Sequence, residues 1–485
     1  MILRLTVPSV FAHWMNPQSI RTTVSPFPIT AYSITQSPWN GSIQRILQAA
    51  LYAADPYGAV QKRFVKRGNL LRIGPYRYSL KNYRRIRLVG MGKACLPMAA
   101  AVQDVLGNSI TDGLLVVKSP TGASGLPESS AKPPGFLVIT SSHPIPDERS
   151  QLAGKAIKSF LQDIQPDDLI ICLISGGGSA LVVSPVAGVD LSDIQMMTRQ
   201  LLACGATIQE INILRKHLDE VKGGGLARWA QTADLQTLVL SDVLGDPLDI
   251  IASGPTYPDS SSYQDAWNLL KKYQITEQIP EHIRLVIRQG LLGECAETPK
   301  PGDEIFKKVH HVIVGNNRLS AEAAVKQAKR EGFQSMLLTS YLQGEARQAG
   351  IFMASIAKEL TAVNSPMRSP SCMVVGGETT VTLTGDGLGG RNQELALSAV
   401  THLDGLSNIM LITLATDGED GPTNAAGAVV TGETLKRAQL ADMNPQEYLV
   451  NNNSYHFFAH LDDLVVTGPT HTNVNDLALL FHFKG

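Results

Sequence analysis

The chain has 485 residues, of which 44% are apolar, with 42 Lys plus Arg against 43 Asp plus Glu. That length exceeds one ordinary core and predicts two domains. The formal net charge of −1 lacks the basic excess of a general nucleic-acid or membrane-surface protein. No apolar run approaches the ~20 residues that span a bilayer, so the expected partner is a small molecule, with no nucleic acid and no membrane.

The first 54 residues contain no Asp or Glu, carry Arg4, Arg21 and Arg45, and are rich in Ser, Thr and Pro. Residues 1–40 read as an N-terminal extension, either a mitochondrial transit segment or a cytoplasmic tail. From residue 41 onward, short β-branched runs alternate with helical stretches, which is the α/β pattern. Strands are predicted at 86–89, 113–117, 137–140, 169–174, 237–240, 311–314, 373–375 and 410–414. Most are continuous apolar runs, as in strands covered on both faces, so a mostly parallel sheet is expected. A helix opens at Thr207 with a capping box to Glu210 and is expected to end at Gly223, Gly224 and Gly225. Pro299, Pro301 and Gly302 break the pattern at 294–303, dividing a domain at 41–293 from one at 304–485. A polar stretch at 364–371 reads as a surface loop. The five cysteines are scattered and read as reduced thiols.

Four strands run directly into turns of Gly plus charged or hydroxyl residues, and in open α/β sheets ligands gather at such strand ends. The first turn holds Gly90, Met91, Gly92 and Lys93, followed by a helix. It is either an anion-binding turn or a glycine turn with a solvated lysine. The second, Ser175, Gly176, Gly177, Gly178 and Ser179, can present a row of N–H groups to phosphate or be merely flexible. It lacks the ending of a Walker A loop. The third contains Asp242 and Asp246, a spacing open to Mg2+ or to turn capping. The fourth contains Asp417, Glu419 and Asp420, a metal-binding or base pair or an ordinary acidic turn.

A literal GxGxxG occupies 385–390, with a strand-like run before it and a helix opening with Arg391, Asn392, Gln393 and Glu394 after it. It admits a dinucleotide reading, although the acid at Asp417 lies further off than the roughly 20 residues of that fingerprint. Arg391 equally suits a bidentate clamp on carboxylate or phosphate.

Seven segments in order, GMGKA at 90–94, ISGGGSAL at 174–181, ATIQEIN with LDEVKGGGLA across 206–227, LSDVLGDPLDIIASGPT at 240–256, GGRNQELAL at 389–397, ATDGEDGPTNAAGA at 415–428 and TGPTHTNVNDL at 467–477, resemble the class II glycerate 2-kinases. The last three lie in that family's MOFRL domain. The resemblance implies a two-domain α/β enzyme, with an N-terminal Rossmann-like sheet flanked by helices, a C-terminal MOFRL domain and an active site in the interdomain cleft. It implies transfer of phosphate from ATP, with Mg2+, to D-glycerate, giving 2-phosphoglycerate, and it leaves a homo-oligomer open. Lys93, Arg391, Asp242 and Asp417 are the implied catalytic residues. Gly90, Gly92 and 175–179 are the implied phosphate site, with Lys222, Asn392, Glu394, Asp420, Thr470 and Asn473 supporting and Asp246 as a metal ligand. His143 and the run from Asn451 to Tyr455 also match family motifs. His471 and Asn424 depart from the family's usual Gly and Asp. Two other functions stand beside the kinase: an NAD(P)-dependent hydroxypyruvate reductase and a non-catalytic protein that binds hydroxy acid and nucleotide.

Overall fold

The computed structural model describes residues 29–119, 136–362 and 365–484. Most of the segment read as a transit peptide or tail, residues 1–28, lies outside the described residues, as does Asn364 of the expected surface loop. The chain forms two compact units, one holding Val60–Leu240 and Asp246–Val314, the other holding residues 29–59, Ser241–Gly245 and the chain from Gly315 onward.

In the first unit a small antiparallel sheet of β1 (Phe64–Arg67), β2 (Leu70–Ile73) and β3 (Tyr76–Ser79) precedes the main sheet. The main sheet contains β4 (Arg85–Met91), β5 (Asp112–Lys118), β6 (Phe136–Ser141), β7 (Asp168–Ile174), β8 (Asp234–Leu240) and β9 (Val309–Gly315) in the order β6-β5-β4-β7-β8-β9. Pairings from β6 through β8 are all parallel, as the continuous apolar runs predict. Every residue of β7 is buried. Four helices, Leu191–Ala203, Ile208–His217, Tyr263–Lys272 and Glu281–Leu291, close around Met197, Leu214, Ala266 and Ile283 in a second apolar cluster.

In the second unit the sheet is mixed, which corrects the expectation of parallel pairing there. Its strands are β10 (Gln334–Leu342), β11 (Ser371–Gly377), β12 (Ile409–Ala415), β13 (Gly427–Thr431), β14 (Leu464–Val465) and β15 (Asp476–His482), ordered β10-β11-β15-β12-β13-β14. β15 returns antiparallel between β11 and β12, so its first residue, Asp476, lies opposite Gly377 and Ala415. The carboxyl ends of two strands and the amino end of a third therefore share one rim.

The compact units divide after Val314, not within 294–303. Pro299 stays with the first unit because its carbonyl accepts the Asp259 N–H at 2.8 Å and its ring packs where a side chain on Gly224 would lie. Helix Asn40–Ala54 joins the second unit, although the sequence places residue 41 at the start of the first domain. Its buried stripe of Ile43, Ile46, Leu47 and Ala50 repeats at helical spacing and shares a core with Ala321, Ala324 and Ala328. No helix among the described residues is long and apolar enough to cross a membrane. All five cysteines are unpaired, in keeping with the thiol reading.

Candidate active site

Two glycine turns of the first unit are laced together. Gly90 and Met91 belong to β4 itself, so Gly90 is a packing residue rather than a ligand-facing turn: a side chain there would strike Cys95 and Leu115. The turn begins at Gly92, whose φ of 129° and closeness to the Ser175 side chain and carbonyl both require glycine. Ser175 Oγ accepts the Ala94 N–H at 3.0 Å, and the Gly176 carbonyl accepts the Lys93 N–H at 2.9 Å. Lys93 is exposed, with its Cγ 3.4 Å from where a side chain on Gly177 would begin. Among the described residues, the N–H groups of Gly176, Gly177 and Ser179 find no acceptor, whereas the Gly178 N–H donates to the Ser175 carbonyl at 3.4 Å. Ser179 Oγ lies 2.8 Å from Ser253 Oγ, in a turn where Ala252, Ser253 and Gly254 all have positive φ. Such a run of left-handed backbone is strain of the kind that gathers at functional sites.

Lys222 does not stand in the last turn of the helix that the sequence carries to Gly223. The capping box at Thr207 and Glu210 is present, but the helix ends at His217, five residues short of Lys222. The helix dipole therefore does not explain this lysine. Its ammonium instead donates to Asp219 Oδ2 and, at 3.1 Å, to the Val182 carbonyl, and Lys222 and Asp219 are each only 3% exposed. Burial pushes the Lys222 ammonium down, against the pull of Asp219. His143, beside Gly177, is pushed down to about 4 by burial first and then by Lys93 and Lys118, so it is neutral near pH 7.

The rim of the second unit is built around Arg391. It opens helix Arg391–Leu403, and its guanidinium forks onto Asp476, with Nε 2.5 Å from Oδ2 and Nη2 3.1 Å from Oδ1. Nη1 lies 3.3 Å from Glu378 Oε1. Asp417 follows β12, and burial followed by the Asp476 charge pushes its carboxyl up despite a bond from the Glu419 N–H. Glu378 is likewise raised, by burial first, with Asp476 and Asp242 adding repulsion against the pull of Arg391. One guanidinium thus faces an excess of carboxylates. Glu378 and Asp476 were not singled out from the sequence; the usable signals were an acid straight after the β11 run and another opening the last strand.

Several supporting residues prove to be internal braces. Asp420 accepts the N–H groups of Asn392 at 3.0 Å and Gln393 at 2.8 Å, plus the Asn392 amide at 3.2 Å, so it caps the helix that carries Arg391. Burial pushes its carboxyl up to about 6. Glu394 turns away, paired with Arg347 and bonded by Asn452. Thr470 ties the last loop to β12 through the Thr416 carbonyl at 2.6 Å and the Asp417 carbonyl at 3.1 Å. Asn473 accepts the Asn475 N–H at 2.9 Å. Asp242 is half-buried in the second unit, whereas Asp246 lies in the first with φ 56°. Among the described residues, the tight grouping of three potential metal ligands is Asp190, Asp193 and His282, not Asp246, and there Asp193 caps a helix.

The GxGxxG segment is no dinucleotide fingerprint. Its glycines follow β11 only after an irregular stretch, and side chains on Gly385, Gly387 and Gly389 would collide with residues 451–454. The helix start that should receive pyrophosphate already holds the Asp420 carboxylate.

Two family models match: a domain of unknown function, DUF4147, over residues 42–288, and the MOFRL family over 371–476. The chain is 39% identical to a glycerate 2-kinase of Pyrococcus horikoshii over 90% of its own length and 95% of that protein's. The chain belongs to the glycerate 2-kinase family. The solved structure of a glycerate kinase from Thermotoga maritima matches with a TM-score of 0.79 at 39% identity, covering 90% of this chain and 97% of that one. A putative hydroxypyruvate reductase of Agrobacterium vitis is 40% identical over 90% of this chain and 92% of its own. The two departures from the family pattern have different consequences. Asn424 is exposed and accepts the Tyr455 hydroxyl at 2.9 Å, so the loop has absorbed it. His471 has φ 56°, a conformation that glycine adopts freely. Changing His471→Gly is expected to raise stability by roughly 0.5–1 kcal/mol, the left-handed strain relieved less the entropy glycine adds to the unfolded chain. A thermal melt with a lower midpoint than the unchanged protein rejects this.

Proposed function

We propose that this protein is an ATP-dependent D-glycerate 2-kinase, which joins the γ-phosphoryl group to the 2-hydroxyl and releases ADP and 2-phosphoglycerate. The observation that carries the reading is the Arg391 rim: a fixed guanidinium among Asp476, Glu378, Asp417 and Asp242 at the strand ends. Phosphoryl transfer asks the protein chiefly for positioning and charge neutralisation. A dinucleotide held by the glycines at 385–390 would ask for a free helix start, and that start is capped.

The rim offers oxygen donors and a surplus of negative charge, which fits a hard divalent cation such as Mg2+. Glu378 and Asp476 are the residues that would hold it, and it would neutralise phosphate charge. Asp417, with its carboxyl raised, is suited to accept the proton that leaves the 2-hydroxyl as the new O–P bond forms and the bond to the β-phosphate oxygen breaks. Arg391 is placed to pair with the substrate carboxylate or with phosphoryl charge. In the first unit, Lys93 and the N–H groups of Gly176, Gly177 and Ser179 suit a phosphate group.

The deciding measurement supplies ATP, Mg2+ and D-glycerate and identifies the product by phosphorus NMR. Glycerate-dependent ADP with 2-phosphoglycerate is expected. Consumption of NADH with hydroxypyruvate, without glycerate-dependent ADP, overturns the kinase in favour of the reductase. Binding of glycerate and ATP with no turnover overturns it in favour of a binding protein.

A further inference from the structure

The first unit contains a cavity of about 450 Å3, within the roughly 300–1,000 Å3 of pockets that bury drug-sized ligands. Much of its wall is apolar, from Ile145, Pro146, Val183, Ile194 and Leu202. Two of these are large side chains left open, Ile145 at 66% and Leu202 at 61% exposed, on one cavity. The same wall carries Arg215, half-buried on helix Ile208–His217. Its guanidinium makes no hydrogen bond or ion pair with any described residue. Burial opposes its charge, and the acid that offsets this, Asp219, is already bonded to Lys222. A charge partly withdrawn from water with no hydrogen-bonded partner is costly, and proteins usually pair such charges. Gly177 and Ser179, with their unclaimed N–H groups, line the same space.

We infer that this cavity binds the nucleotide: the adenine lies against the apolar wall, and Arg215 and the 177–179 backbone take the phosphates. The inference rests on the kinase reading and goes beyond it by locating the base and by naming Arg215, a residue outside the glycine turns. Glycerate does not match the lining, because a three-carbon acid with oxygen on every carbon has no apolar surface to set against Ile194 or Leu202. A nucleotide has both parts, a flat ring of low polarity and a chain of negative charge.

The test reads binding directly, by titrating the full-length protein with the fluorescent nucleotide mant-ADP, beside a thermal melt. Arg215→Met is expected to weaken mant-ADP at least tenfold while keeping or raising the melting midpoint, since the arginine has no hydrogen bond or ion pair to lose. Leu202→Glu puts a charge into the apolar wall against which the adenine lies and is expected to weaken mant-ADP similarly. Calorimetric titration with D-glycerate should give the same Kd in both variants as in the unchanged protein. Wild-type mant-ADP affinity in both variants overturns the inference while leaving the kinase reading intact. So does a weakened glycerate Kd with mant-ADP unchanged, which assigns the cavity to the acid. An unchanged protein that binds no mant-ADP and forms no ADP from glycerate and ATP overturns both.

Discussion

Arg391→Ala is expected to lower kcat/KM for D-glycerate by about 10²–10³, the usual loss when one fixed electrostatic contact to a developing charge is removed. The structural cost is smaller. Asp476, whose side chain is 10% exposed, loses both prongs of its guanidinium partner, and Glu378 loses one contact at 3.3 Å. Removing such a partner costs roughly 1–3 kcal/mol, which a domain with a full core survives. Arg391→Lys separates charge from shape. A lysine keeps the positive charge but offers a single mobile ammonium where the fork spans Asp476 and Glu378 together. It should recover most of the stability and well under a tenth of the activity. Steady-state kinetics beside urea unfolding give both quantities, and wild-type kcat/KM in a folded Arg391→Ala protein removes Arg391 from the reaction.

The contrast between Arg391 and Asp420 shows how far the sequence could be read. Both stand in Gly-rich segments with charge, and the residues alone do not say which points outward. The helix beginning at Arg391 decides it: the first N–H groups of any helix need acceptors, and Asp420 is the carboxylate that meets them. The parallel sheet of the first unit was legible because most of its strands carry nearly continuous apolar runs, and β7 is the plainest case. The second sheet was not, because β15 enters it from the far end of the chain, and no local pattern tells an apolar run to lie antiparallel between β11 and β12. That same long-range step brings Asp476 to the rim, which is why the partner of Arg391 went unnoticed. Helix Asn40–Ala54 shows the same effect, since its apolar stripe predicts burial but not which core receives it. The glycines at 385–390 show the reverse: the letters satisfy a motif, while the space beside them is filled by the protein's own 451–454 segment.

The largest stability effect is expected at Asp219. Asp219→Ala leaves the Lys222 ammonium buried with only the Val182 carbonyl, and it also strips an acceptor from the Val221 and Ser184 N–H groups. Breaking one side of a buried pair costs about 3–5 kcal/mol, whereas replacing both sides with apolar groups of similar volume is often neutral. The double change Asp219→Leu with Lys222→Met should therefore regain most of what the single change loses, and urea unfolding of the three proteins measures it. A double variant no more stable than Asp219→Ala would mean that the carboxylate supports the chain through its N–H bonds rather than through the lysine. The same proteins weigh the two roles of Lys222, which lines the nucleotide cavity while already bonded to Asp219 and Val182. A cation so engaged has less to give a phosphate than Arg215, which has no such partner. The double variant should accordingly lose less mant-ADP affinity than Arg215→Met, and an equal or greater loss would make Lys222 the principal phosphate anchor.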